Sequence, residues 1–108
     1  MWLLKTSEGA EAALTFRLLP GNVKTVGRAP RADFIVDAAL VSRLHCRLAA
    51  GAEEIELVDL GSTNGTFVNG QRVDGRASVK PGDTIGIGRV DLLVSEGMDS
   101  TGAPDRSS

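Results

Sequence analysis

Turn signals interrupt this chain too often for helices of ordinary length to form. Pro20-Gly21, Gly51, Gly61, Asn64-Gly65, Asn69-Gly70, Asp74-Gly75 and Pro81-Gly82-Asp83 follow one another closely. Glycine opens backbone conformations closed to other residues, and proline fixes φ and removes a donor, so each signal tends to end a regular element. Between them lie short runs of β-like composition: Trp2 to Lys5, Leu14 to Leu18, Lys24 to Val26, Phe34 to Val36, Cys46 to Ala49, Ile55 to Val58, Thr66 to Val68, Ala77 to Val79, Thr84 to Ile87 and Asp91 to Val94. Many short strands with closely spaced turns predict an all-β fold, an antiparallel sandwich or barrel.

Side-chain alternation supports this. In EIELVDL, Ile55 and Leu57, with Asp59 in the same register, point one way, and Glu56, Val58 and Leu60 the other. In TIGIG, Ile85 and Ile87 share a face around Gly86, which predicts close backbone approach there. With three Phe, one Trp and no Tyr, the core is expected to be aliphatic. Asn69-Gly70 reads as a tight hairpin turn. Glu8 to Leu14 is the one helix-favourable stretch, but about two turns are marginal without packing, and it is read as loop. Residues 97–108, GMDSTGAPDRSS, carry too little apolar surface to offset ordering entropy and read as a flexible tail or the start of a linker, leaving a domain over 1–96.

A length of 108 residues, with 42% hydrophobic and 24% charged, suits one globular domain. The formal net charge of −2 argues against broad charge-driven binding to nucleic acid or anionic lipid. Neither a direct nucleic-acid partner nor a membrane is expected, and any anion site must be local. The lone Cys46 excludes an intrachain disulfide and a multi-cysteine zinc site, and fits a reducing compartment. No apolar run approaches a membrane span, and MWLLKTSEGAEAAL lacks a basic region ahead of its apolar stretch. The expected location is the cytoplasm, or the nucleus in a eukaryote.

Three segments near strand ends carry chemistry: Val26-Gly27-Arg28, Val41-Ser42-Arg43-Leu44-His45, and Gly61-Ser62-Thr63-Asn64-Gly65-Thr66. Together they offer guanidinium, hydroxyl, amide and backbone N–H groups, the donors a phosphate ester needs. Arginine presents a permanently charged fork that holds two phosphate oxygens, where lysine supplies only a point charge. Each segment alone is ordinary; their order and spacing are not.

Gly27-Arg28, then Ser42-Arg43-Leu44-His45, then GSTNGTFVNG and VKPGDTIGIG, resembles the forkhead-associated (FHA) domain family over about residues 2 to 95. The resemblance implies an eleven-stranded antiparallel β-sandwich that binds phosphothreonine peptides through loops at one end. Arg28 and Ser42 match the family's phosphate ligands, and Thr63 a further phosphate contact. Asn64 matches the residue that bonds the peptide main chain, and Arg43 a position that assists binding. Gly27, His45 and Gly65 match architectural positions that shape the loops. No catalytic residue, metal or cofactor is implied. The implied partners are a phosphothreonine-containing protein or peptide and a Ser/Thr kinase or its substrate. Some members carry a basic residue two positions before the motif serine, where it reads an acidic side chain three residues after the phosphothreonine. Here that position is Leu40, so a neutral or apolar preference is expected, with Arg89 as the competing acidic reader. The layout from Met1-Trp2 through Arg17-Leu18-Leu19 to Gly27-Arg28 is similar to an amino-terminal FHA domain of eukaryotic DNA-repair adaptors. The Ser-Thr-Asn-Gly-Thr loop and alanine-rich composition look equally like small bacterial members regulated by Ser/Thr kinases, and the bacterial reading is preferred. Thr6 and Thr101, placed in flexible-looking ends, would permit phospho-dependent self-association.

Simpler roles compete at several positions. His45 near Ser42 and Asp37 or Asp59 would suit a hydrolase triad, yet no Gly-x-Ser-x-Gly elbow exists, and a structural imidazole tying the Ser42 and Thr63 loops is the better reading. Cys46 beside His45 and Arg47 would allow a lowered thiol pKa, but packing explains it more simply. The functional reading is a phosphothreonine-dependent signalling adaptor. The alternative is the same fold making phosphate-independent protein or oligomer contacts.

Overall fold

The computed structural model describes residues 1–6 and 14–97. Eleven strands run in chain order: β1 (Trp2–Thr6), β2 (Thr15–Leu18), β3 (Val23–Gly27), β4 (Phe34–Ile35), β5 (Cys46–Ala50), β6 (Ile55–Asp59), β7 (Thr66–Val68), β8 (Gln71–Arg72), β9 (Arg76–Val79), β10 (Thr84–Ile87) and β11 (Val90–Glu96). They form a sandwich of two sheets, ordered β2-β1-β11-β10-β7-β8 and β4-β3-β5-β6-β9. The ladders are antiparallel except one: β3 and β4 pair in parallel, Val26 with Phe34 and Gly27 with Ile35. That pair needs a crossover, and the connection between them supplies the first loop of the site.

Alternation fixes which side chains enter the space between the sheets. Ile55 and Leu57 are fully buried and Glu56 exposed, as the period of two requires. Ile85 and Ile87 are buried from the opposite sheet. The core they share with Leu4, Leu18, Val26, Leu48, Val79, Leu92 and Val94 is aliphatic, with Trp2 its one large aromatic. Phe16 and Phe34 stack at 4.6 Å at its margin.

Three features depart from the sequence reading. β8 has no sequence signature, because its two residues are both exposed; the Asn69-Gly70 turn creates it. Both turn residues have positive φ, 52° and 82°, the geometry that folds β7 back onto β8 with the twist of the sheet. Gly86 is not a close approach: an added Cβ would lie 3.4 Å from Phe67 and Asp91, ordinary contact. Thr6 does not lie in a flexible end but closes β1, its backbone N–H donating to the Leu14 carbonyl and its Oγ accepting from Leu14 N at 2.9 Å. Most of the Glu8 to Leu14 stretch, Thr101 and nearly all of the 97–108 tail fall outside the described residues.

Trp2 anchors β1 by donating from Nε1 to the Gly51 carbonyl at 3.0 Å while its ring is 1% exposed. Trp2→Phe keeps an aromatic ring but leaves that carbonyl unpaired. It should cost about 2 kcal/mol in urea unfolding followed by circular dichroism, with the folded spectrum retained.

Candidate functional site

Four loops meet at one end of the sandwich: β3–β4, β4–β5, β6–β7 and the β10–β11 turn. The first two are joined where Gly27 ends β3. A Cβ on Gly27 would overlap the Arg43 carbonyl oxygen and lie 2.7 Å from its carbonyl carbon. Only glycine lets the chain at residue 43 pass so near. Across this contact Arg28 N donates to Ser42 O at 2.9 Å, Ala29 N to Arg43 O at 3.1 Å and His45 N to Val26 O at 2.8 Å. Arg28 and Ser42 are thereby fixed side by side.

The guanidinium of Arg28 is aimed by its own frame. Its Nε donates to Val41 O at 3.1 Å, leaving both Nη groups without a partner among the described residues. Ser42 Oγ accepts from Thr63 N at 3.0 Å, which ties the β6–β7 loop alongside and leaves the hydroxyl proton to donate elsewhere. Thr63 is exposed, with its hydroxyl unpaired among the described residues. Arg28, Ser42 and Thr63 therefore present donors to one region.

Asn64 donates from Nδ2 to Leu40 O at 3.0 Å, with no partner for Oδ1 among the described residues. It fixes a strained segment, for Leu40 has φ of 72° and is 46% exposed. The β10–β11 turn packs on the same segment, and a Cβ on Gly88 would lie 3.0 Å from the Leu40 carbonyl carbon. This places Arg89, exposed in that turn, at the same end. Arg43 is exposed beside Arg28, and both line one pocket.

His45 is fully buried and both ring nitrogens are used. Nδ1 accepts from Ser42 N at 3.0 Å, so Nε2 carries the proton and donates to Gly65 O at 2.8 Å. The ring bridges two loops and does not face Ser42 Oγ as a base would. Gly65, at φ of 88°, presents the loop bend. Cys46 is buried behind, its thiol pushed up to about 12 by desolvation and then by the Asp59 charge. It packs in the core.

Comparison with known proteins agrees with this geometry. The FHA domain family matches residues 24–88. The chain belongs to the FHA domain family. Glycogen accumulation regulator GarA of Mycobacterium tuberculosis is 37% identical over 108 aligned residues, covering 94% of this chain and 65% of that protein. The ATP-binding/permease ABC transporter protein Rv1747 of the same organism is 43% identical over 84 residues, covering 78% of this chain but 10% of that protein. The chain thus spans less than two thirds of the length of either relative. Among solved structures, the FHA domain of Chlamydia trachomatis CT664 superposes with a TM-score of 0.83 at 27% identity, covering 90% of this chain and 98% of that one. The FhaA FHA domain, solved in complex with the intracellular domain of Rv3910, gives 0.77 at 31%, covering 87% and 99%.

Two contributors to this FHA site carried no clear sequence signal. Asp59 ends β6 and holds the next loop from inside: Oδ1 accepts from Ser62 Oγ and Thr66 Oγ1, both at 2.6 Å, and Oδ2 from Gly61 N and Ser62 N at 3.1 and 3.2 Å. An Asx turn from Asp59 into Gly61-Ser62 was the available hint. Arg72, on β8, lies across Gly65, with Nε 3.0 Å from where a Cβ would stand. Nothing local in the sequence announces that contact.

Burial alone would push the Asp59 carboxyl up, but the bonds from Ser62, Thr66 and Gly61 outweigh it and hold it below the ordinary 3.8. A depressed carboxylate contributes stability that is full above its ordinary value and lost as pH falls through the folded value. Between about pH 5 and about pH 2 the native protein should lose stability more steeply than Asp59→Asn, while near neutral pH that variant should be the weaker by about 1 kcal/mol. Urea midpoints across the acid range give both slopes.

Proposed function

We propose that this FHA domain is a phosphothreonine-dependent peptide-binding module, acting as a signalling adaptor downstream of a Ser/Thr kinase in the cytoplasm. FHA domains are phosphopeptide-binding modules, and the observation that carries the finer reading is the convergence of Arg28 Nη, Ser42 Oγ–H and the Thr63 hydroxyl. All three are donors without a partner among the described residues, and all are held by backbone bonds at one rim. A phosphate carries about −1.5 to −2 charges and three acceptor oxygens, so it matches this set in charge and number.

Magnitudes say what else the ligand must provide. Three charge-assisted bonds at roughly 1.5 to 3 kcal/mol each give a gross ~5 to 9 kcal/mol. Ordering a flexible peptide costs about 2 to 5 kcal/mol of that. Micromolar binding needs about −8 kcal/mol, so contacts beyond the phosphate must supply the remainder. Asn64 Oδ1 and the Leu40 to Arg89 region are positioned to do so. Two regulatory features support the adaptor reading: one similar protein is a glycogen accumulation regulator, and another was solved with a partner's intracellular domain. Phosphorylation at Thr101 would make a second copy of the chain a ligand; Thr6, held in β1, suits this poorly.

A peptide titrated in phosphothreonine and plain threonine forms should show micromolar affinity for the first and about 100-fold weaker binding for the second. Arg28→Ala should abolish the difference, and Arg28→Lys should restore only part because it lacks the fork. Equal binding of both forms would identify the fold's contacts as phosphate-independent.

Leu40, exposed and apolar where some members carry a basic residue, predicts a neutral or apolar side chain three positions after the phosphothreonine. An oriented phosphopeptide library should select Leu, Ile or Val there. Selection of Asp or Glu that vanishes in Arg89→Ala would assign the position to Arg89, and acidic selection indifferent to Arg89→Ala would remove both assignments.

A further inference from the structure

Beside the phosphate donors lies an open pocket of about 430 Å³ lined by Arg28, Ala29, Pro30, Arg31 and Arg43. Three of its five lining residues are arginines, in a protein of net charge −2. Among the described residues the one ion pair joins Arg76 and Glu56, so none of the three has a carboxylate within 4.0 Å. Asp33, the acid nearest Arg31 in sequence, is occupied by Thr25, accepting from its N at 2.9 Å and its Oγ1 at 3.1 Å.

The backbone that carries Arg31 is also held in place. Ala29 to Ala32 form a turn closed by Ala32 N donating to Ala29 O at 3.0 Å, with Pro30 fixing φ at its first corner and Arg31 at its second. Both alanines are buried, at 8% and 5% exposure, and Ala29 N is tied to Arg43 O. The turn cannot swing away without breaking the frame that aims Arg28.

Charge balance then distinguishes ligands. Three guanidinium groups bring three positive charges, and one phosphate ester returns about −1.5 to −2. About one charge is left unmatched, and it faces an accessible pocket next to the phosphate position. We infer that the Arg28, Arg31 and Arg43 pocket takes a second anionic group, a carboxylate or another phosphate, on a residue flanking the phosphothreonine. This rests on the phosphothreonine reading and names the class of peptide that the same site prefers. Arg28 is shared between the two anions, Arg43 borders both, and Arg31 serves the second alone.

The test uses three peptides with one core phosphothreonine: neutral flanks, Asp or Glu at flanking positions, and a second phosphothreonine at the same positions. Native protein should bind one acidic-flanked or doubly phosphorylated peptide about five- to tenfold more tightly than the neutral one, an advantage that shrinks as salt is raised. Arg31→Gln should erase that advantage and leave neutral-flank binding unchanged. A larger gain from the second phosphate than from the carboxylate identifies the anion as phosphate; equal gains identify it as any acidic residue. No advantage in native protein overturns the inference, as does an Arg31→Gln loss that is the same for all three peptides. Should the neutral-flank peptide bind equally with and without its phosphate, the phosphothreonine reading itself fails, a result read before Arg31 is touched.

Discussion

The structure of the site depends on one close passage, the backbone of Arg43 against Gly27. Without a side chain at residue 27, the β4–β5 loop lies directly on the end of β3. Three backbone hydrogen bonds then form across the contact, to Ser42, Arg43 and Val26. Those bonds place Arg28 and Ser42 together although fourteen positions separate them in the chain. Any Cβ at this point would push against main chain, which cannot yield as a flexible side-chain end can. The Gly-Arg pair is thus a single device: the glycine sets where the arginine stands.

Around that contact, the polar residues divide into those that hold and those that read. His45, Ser62, Thr66 and Asp59 spend their hydrogen-bonding capacity inward, on backbone or on one another. Arg28, Ser42 and Thr63 keep donors facing out. The division follows from burial, because an inward polar group without a partner is costly, whereas a rim group can wait for a ligand at little cost. It also explains the place of Ser42: its oxygen accepts from Thr63 N, and its own proton has no acceptor among the described residues. A nucleophile would need the reverse, a base taking that proton, and the His45 ring nitrogens are both engaged elsewhere.

Much of this was legible in the sequence wherever period and punctuation carried it. Ile55, Leu57, Ile85 and Ile87 alternate, and they are buried. Asn69-Gly70 requires positive φ, and has it. What escaped was whatever depended on distance in space. β8 consists of two exposed residues paired only because the turn returns the chain to β7. Gly86 has the pattern of a close approach but ordinary contacts, whereas at Gly27, an architectural position by resemblance, main chain passes within overlap of a Cβ, since a sequence shows where a glycine is and not what passes beside it. Nothing local in the sequence singles out Arg31, which the turn at Pro30 brings next to Arg28 and Arg43 in one pocket.

Any anion site on an acidic protein must be local. At physiological salt, charges on the surface fade over about 8 Å, so the overall −2 exerts little force at the loop end. Two carboxylates are engaged by the fold itself: Asp59 faces Ser62 and Thr66, and Asp33 faces Thr25. Each stays ionised by accepting bonds from the fold, and each therefore stabilises a loop without neutralising an arginine. The same bonds that stiffen the frame leave the Arg28, Arg31 and Arg43 guanidinium groups without a carboxylate partner among the described residues. The strain at Leu40 belongs to this arrangement: a leucine at φ of 72° is costly alone, yet Asn64 and the Gly88 turn hold it from two sides. An exposed apolar side chain is fixed at the rim as a result, in the segment next to the Val41 carbonyl that holds Arg28 Nε.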